Sequence, residues 1–143
     1  MKNMDSSTPV YTISTTARLL GISIHTLRMY EREGLIIAYK KDSGHRLYSQ
    51  NDIERLECIR SAINKNKISI AGIKTIYSLI PCWKIVNCPE EQRMNCPAYS
   101  AHTKPCWAFD HKRNVCSSRI CRECIVYKDF SDCTKIKSSI NQI

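Results

Sequence analysis

No stretch of this chain is apolar for long enough to span a bilayer, which excludes a helical membrane anchor within it. The first ten residues, MKNMDSSTPV, are polar and lack the apolar centre of a secretory signal. Both absences point to a cytoplasmic protein. The sequence also lacks a phosphate-binding glycine loop, an acid–base pair and a nucleophile with a partner base, so it does not read as an enzyme. Acidic residues are scarce: 13 Asp and Glu stand against 22 Lys and Arg, a formal net charge of +9. Both halves share that excess, which suits a nucleic acid or an anionic surface as partner. Cysteine is almost missing before Pro81, where only Cys58 occurs, while eight of the nine cysteines follow it. The chain therefore divides near Pro81.

Before that point the pattern is regular. Residues 1–10 read as a disordered lead-in. STTARLLG predicts a helix from Ser14, ended by Gly21. ISIHTLRMYEREG predicts a second, capped by Ser23 and closed by Gly34, with Ile24, Leu27 and Tyr30 on one buried stripe. Two short helices around a glycine turn make a helix-turn-helix candidate. Strands at Ile36–Tyr39 and His45–Tyr48 flank KKDSG, whose residues suit a hairpin turn with a basic tip. A third helix starts at Ser49 with Asp52 in a capping-box arrangement, its inner face Ile53, Leu56, Ile59 and Ile63. A fourth is capped by Ser69, turns Ile70, Ile73, Ile76 and Ile80 inward, and stops at Pro81. A core this small calls for docking against the rest of the chain or a second copy.

TISTTARLLGISIHTLRMYEREGLI, then GHRLYSQNDIERLECI and KISIAGIK, closely resemble the N-terminal winged helix-turn-helix of MerR-type bacterial transcription regulators over residues 11–80. The resemblance implies double-stranded promoter DNA as partner, with RNA polymerase affected indirectly. It places the second helix in the major groove. Ser14, Thr15, His25, Thr26, Arg28, Met29 and Tyr30 then face DNA, with Lys40, Lys41, His45, Arg46 and Tyr48 of the wing against the flanking backbone. Arg28 is expected on a phosphate or a guanine edge. Met29 stands where the family usually has an aromatic residue, and it can offer only apolar contact. Tyr30 reads either as a DNA contact or as core with its hydroxyl near DNA. Lys40 and Lys41 alone would read as a solvated tip, and their place on a wing beside a helix-turn-helix favours phosphate contact. Cys58 reads as a small half-buried thiol. The family usually continues into a long dimer helix. Pro81 cuts that helix short, so a homodimer must form by another route, the cysteine-rich part being one candidate.

After Pro81, PCWKIVNCPEEQRMNCPAY and PCWAFDHKRNVCSSRICRECIVY form a degenerate repeat. Each begins Pro-Cys-Trp and ends Cys-x-x-Tyr, at Cys96–Tyr99 and Cys124–Tyr127. This part resembles a module with two Cys-Trp pairs found in assorted bacterial signalling proteins, for which metal or redox sensing is the implied role. Residues 81–134 hold few aliphatic side chains and no clean period, so something must staple them. In a reducing compartment, clustered thiols favour metal over disulfides. The candidate ligands are Cys82, Cys88, Cys96, Cys106, Cys116, Cys121, Cys124 and Cys133. Cys116, Cys121 and Cys124 have C-x4-C-x2-C spacing, which echoes iron–sulfur ligation, while a single C-x-x-C is short of the two knuckles usual for structural zinc. The cofactor expected is an iron–sulfur cluster or zinc. His102 and His111 could replace a cysteine. Trp83 and Trp107 read as a mini-core or as a shield around a cluster. Lys112, Arg113, Arg119 and Arg122 could offset thiolate charge, lie in solvent, or extend a DNA contact. Residues 135–143 read as a polar tail.

The expected fold is mainly α with a small β-hairpin wing, followed by a small irregular cysteine-rich metal-binding domain. The expected function is a sequence-specific DNA-binding regulator that senses metal or redox state. The alternatives are a purely structural zinc module that mediates dimerisation or partner binding, and metal-free redox thiols.

Overall fold

The computed structural model describes residues 6–101, 103–109, 116 and 120–130. Cys133, His102, His111, Lys112, Arg113, Arg119 and the tail 135–143 lie outside the described residues. Strand β1 (Tyr11–Thr12) leads directly into helix α1 (Ile13–Leu20), and helix α2 (Ile24–Arg32) follows. Thr12 and Ser23 cap these helices by accepting from the backbone N–H groups of Thr15 and Thr26. Gly21, at φ +67°, ends α1 in the left-handed region that glycine adopts without penalty. Strands β2 (Tyr39–Lys40) and β3 (Arg46–Tyr48) form the wing. The sheet is antiparallel in the order β1-β3-β2, with Tyr11 opposite Tyr48 and Tyr39 opposite Leu47. Helix α3 (Gln50–Asn64) opens with the complete Ser49–Asp52 capping box, and α4 (Ile70–Ser78) is capped by Ser69.

Several details differ from the sequence expectation. The wing's first strand begins at Tyr39 rather than Ile36, because Leu35 and Ile36 are buried in the core. Strand β1 adds an unexpected third strand. Residues 6–10, expected to be disordered, join the body of the fold: Val10 N–H donates to Tyr48 O, and Asn51 N–H donates to Ser6 O. Ile24 and Ile76 are partly exposed, and Tyr77 takes the buried place on α4. Cys58 is disulfide-bonded rather than a thiol.

Beyond Pro81 the chain forms single turns: α5 (Cys82–Ile85), α6 (Glu90–Arg93), α7 (Pro97–Ser100) and α8 (Ile125–Lys128), with 3-10 turns at Cys106–Ala108 and Cys121–Glu123. The repeat is visible in three dimensions. Trp83 meets Tyr99 edge-on at 5.0 Å and 87°, and Trp107 meets Tyr127 at 5.1 Å and 87°. The two copies differ in where they sit. Trp107, Val126, Tyr127 and Phe130 join the same buried cluster as Leu27, Tyr30, Leu35, Ile36, Leu56 and Tyr77. One continuous core therefore crosses position 81, which supplies the docking that the small N-terminal core needs. No described helix is long and apolar enough to cross a membrane.

Candidate nucleic-acid interface and thiol cluster

Helix α2 and the wing present adjoining basic surfaces. Ser14, His25, Arg28, Lys40, Lys41 and His45 are exposed, while Thr15, Thr26, Met29 and Arg46 are half-buried. Arg46 Nε donates to Glu31 Oε2 at 2.6 Å, which ties the wing to α2. Lys74 Nζ donates to Glu33 Oε2 at 3.2 Å and ties the same C-terminal end of α2 to α4. His45 Nδ1 lies 2.9 Å from Ser43 Oγ within the wing turn. Two of the expected DNA contacts are instead core. Tyr30 is 1% exposed, and its hydroxyl accepts from Arg60 Nη1 at 3.2 Å. Tyr48 is fully buried, and its hydroxyl has no hydrogen-bond partner among the described residues. Burial, then the Glu31 carboxylate, push the Tyr48 phenol up to about 12. The inward face therefore claims both rings.

The segment Gly34–Ile37 joins α2 to the wing, and the second thiol-rich copy grips it. Trp107 Nε1 donates to Gly34 O at 2.7 Å. Ile37 N–H donates to the Tyr127 hydroxyl at 2.8 Å, and Arg122 Nη1 donates to Ile37 O. Arg122 Nη2 also pairs with Asp52 Oδ2 at 2.5 Å, and the Tyr127 hydroxyl lies 3.3 Å from Asp52 Oδ1. Asp52 is thus a hub: its carboxylate closes the α3 capping box through Ser49 N–H at 2.8 Å and anchors the thiol-rich part. Beneath these groups lies Arg55, 1% exposed. It donates to Tyr127 O, and its guanidinium stands 4.1 Å from the Tyr127 ring, 5.1 Å from Trp107 and 5.3 Å from Tyr77. Three ring faces partly replace the water that this cation has lost. Sequence reading missed Arg55, Asp52 as a hub and Arg122 as an anchor. A buried Arg on an amphipathic helix carries no periodic signal, since its hydrogen-bond partner Tyr127 lies 72 residues away in the chain.

Seven described cysteines, Cys82, Cys88, Cys96, Cys106, Cys116, Cys121 and Cys124, are not in disulfides. They surround two small apolar cavities of about 20 Å³ each. One is walled by Cys82, Cys106, Cys116, Cys121 and Cys124 with Trp107 and Tyr127. The other is walled by Cys82, Cys88, Cys96 and Cys116 with Trp83 and Tyr99. Each repeat therefore builds one thiol cavity roofed by its own Trp–Tyr pair, and Cys82 and Cys116 border both. A hydrogen bond from Cys106 holds the Cys82 thiol below its ordinary range. The same bond raises Cys106, aided by burial and by nearby Cys82, Cys124 and Cys121. Burial and Cys124 raise Cys121, while burial followed by Cys96 and Cys82 raises Cys88. The donor set is all sulfur with apolar walls, the chemistry that soft metals and iron–sulfur clusters take. Among the described residues no three such side chains converge closely enough to hold one metal ion. The donors therefore fit by chemistry, and holding a metal requires the thiols to draw together.

Residues 11–79 match the family described as MerR HTH family regulatory protein. Among relatives, the chain is 40% identical over 76 residues to HspR, a proposed heat shock protein of Streptomyces coelicolor; this covers 53% of this chain and 50% of the relative. It is 37% identical over 68 residues to the transcriptional regulator ZntR homolog of Haemophilus influenzae, covering 47% and 50%. It is 45% identical over 53 residues to a probable heavy metal-dependent transcriptional regulator of the same organism, covering 36% and 41%. The matches span half or less of these relatives' length. The family match ends just before Pro81, where the thiol-rich repeat begins, and it contains α1, α2, the wing, α3 and α4. The fold and the match agree over residues 11–79, and this part of the chain is similar to the MerR helix-turn-helix family.

Proposed function

We propose that this protein is a sequence-specific, DNA-binding transcription regulator whose cysteine-rich part holds an iron–sulfur cluster or zinc and senses metal or redox state. One observation carries the reading: an α1–turn–α2 unit with a basic wing shares a single core with a cavity walled by five cysteines. Helix α2 enters the major groove, where Arg28 reaches a phosphate or a guanine edge and Met29 offers apolar contact. Lys40, Lys41 and His45 hold the flanking backbone, and Arg46 serves that role while pairing with Glu31. Ser14, Thr15, His25 and Thr26 complete the surface. The protein acts in the cytoplasm as a homodimer joined through its thiol-rich part rather than through a long helix, and it affects RNA polymerase through promoter DNA. No enzymatic role is proposed.

All-thiol donors and the heavy-metal name of one relative support the metal reading. Docking of Trp107 and Tyr127 in the core favours a second reading, a zinc staple with a purely structural role. Tight zinc that oxidants and reductants leave in place, with no iron, selects that second reading. The DNA claim is tested by selecting bound duplexes from a random pool. Enrichment of one inverted-repeat sequence is expected; binding that depends on salt but not on sequence refutes it.

A further inference from the structure

Trp107 and Tyr127 belong to two sites at once. On one side they wall the cavity of Cys82, Cys106, Cys116, Cys121 and Cys124. On the other they are bonded to the two ends of Gly34–Ile37, at 2.7 and 2.8 Å. That segment leaves α2, with Arg28, and leads to β2, with Lys40. The contact is close: a Cβ placed on Gly34, at φ +79°, would stand 3.4 Å from Ala108 Cβ. The first copy has the same ring pair and its own cavity, yet among the described residues Trp83 and Tyr99 make no hydrogen bond to residues 34–37. Coupling to the DNA-binding surface is therefore a property of the second copy.

We propose that a soft-metal centre, iron–sulfur or zinc, is held by the thiols of the Cys82, Cys106, Cys116, Cys121 and Cys124 cavity. Trp107 and Tyr127 carry its occupancy to the DNA-binding surface by shifting Gly34–Ile37. The inference rests on the metal reading above. A cavity of about 20 Å³ admits little more than one water-sized sphere. The thiols must therefore move to share a metal, and two of them move the walls directly. Cys106 precedes Trp107 in one 3-10 turn, and Cys124 caps α8, whose third residue is Tyr127. Interiors packed at crystal density pass such shifts on rather than absorb them. Arg55, stacked on both rings, keeps Trp107 and Tyr127 moving as one body. A small rotation at Gly34–Ile37 changes the angle between α2 and the wing. Both must grip one duplex, so affinity follows the angle. A ligand shifts this equilibrium only by its preference for one arrangement, and couplings of this kind are about 5- to 150-fold.

The test uses the full chain purified anaerobically, as loaded with iron and sulfide or with zinc, and again after chelation under reductant. Duplex affinity is measured for both forms of the wild type, Trp107→Phe and Tyr127→Phe. Each variant keeps an aromatic ring: Trp107→Phe loses the Nε1–H bonded to Gly34 together with part of the indole, and Tyr127→Phe loses the hydroxyl bonded to Ile37 and near Asp52. The wild type should show a loaded-to-stripped affinity ratio of about 5 or more in either direction. Each variant should load the same metal per chain and show a ratio that falls to within about twofold of unity. Full loading with an undiminished ratio in both variants overturns the relay. A wild type that loads metal but shows no change in affinity also overturns the relay and leaves the metal reading standing. A wild type that takes up no metal overturns both.

Discussion

Removing the Asp52 carboxylate tests how firmly the thiol-rich part is anchored. Asp52 and Arg122 side chains are 2% and 12% exposed, so their 2.5 Å pair is nearly dry. Breaking such a pair by deleting one partner costs about 3–5 kcal/mol, because a charge is left buried alone. Asp52→Ala also strips the capping box of its bond to Ser49 N–H, about 0.5–2 kcal/mol more. The expected loss is about 4–6 kcal/mol. Arg122→Ala should lose less, about 2–3 kcal/mol, since Asp52 keeps Ser49 N–H and the Tyr127 hydroxyl as donors. The double variant should then lose about 1–3 kcal/mol less than the sum of the two singles. Urea unfolding measures all four proteins, and with a slope of about 2 kcal/mol per molar a 3 kcal/mol loss moves the midpoint by about 1.5 M. A coupling below about 0.5 kcal/mol would refute the anchor, because residues out of contact add within that margin.

Arg28→Ala should weaken binding to the selected duplex. A contact to a phosphate would lower the salt slope by about 1, and a contact to guanine would relax one base position at about 1–3 kcal/mol; unchanged affinity would show that α2 is misassigned. Tyr48→Phe removes a buried hydroxyl that has no partner among the described residues and should stabilise the protein by about 1 kcal/mol at neutral pH. Tyr48 is raised from 10.0 to about 12, so the unfolded chain releases its proton first. Its share of stability is intact below pH 10 and is lost as pH rises toward 12, with a slope of about 1.4 kcal/mol per pH unit. Burial raises Tyr77 and Tyr127 in the same direction, so Tyr48→Phe should soften the alkaline decline without abolishing it. Circular dichroism against pH reads this, and an unaltered decline would mean that Tyr48 already ionises freely. Cys58→Ser should leave metal content unchanged by elemental analysis, since Cys58 is disulfide-bonded and lines neither thiol cavity; a loss of metal would place it among the ligands.

The helices of the N-terminal half could be read from caps and period, because Ser23, Ser49 and Ser69 act locally and announce themselves in the sequence. The repeat could also be read, since Pro-Cys-Trp and Cys-x-x-Tyr place one Trp–Tyr pair in each copy. What escaped was every contact between the halves. Asp52 was visible as a capping residue, and nothing local reveals that the oxygen closing the box, Oδ2, also meets Arg122 across the fold while Oδ1 faces the Tyr127 hydroxyl. Arg55 sits among apolar neighbours on α3 and looks like any solvated cation until Tyr77, Trp107 and Tyr127 close around it. Tyr30 and Tyr48 were candidates for DNA contact, and burial decides against their rings, since period alone cannot separate a core tyrosine from a groove-facing one. Ile76 illustrates the reverse: an apolar residue at helical spacing yields the inward position to Tyr77, whose larger ring reaches the docked half.

The account turns on what the thiols hold. Anaerobic purification of the full chain, followed by iron, sulfide and zinc analysis and a visible spectrum, addresses that most directly, with Cys106→Ser measured in parallel. The account predicts iron with acid-labile sulfide and visible absorbance, or stoichiometric zinc, and its loss in Cys106→Ser. A wild-type protein with neither iron absorbance nor stoichiometric zinc would contradict it.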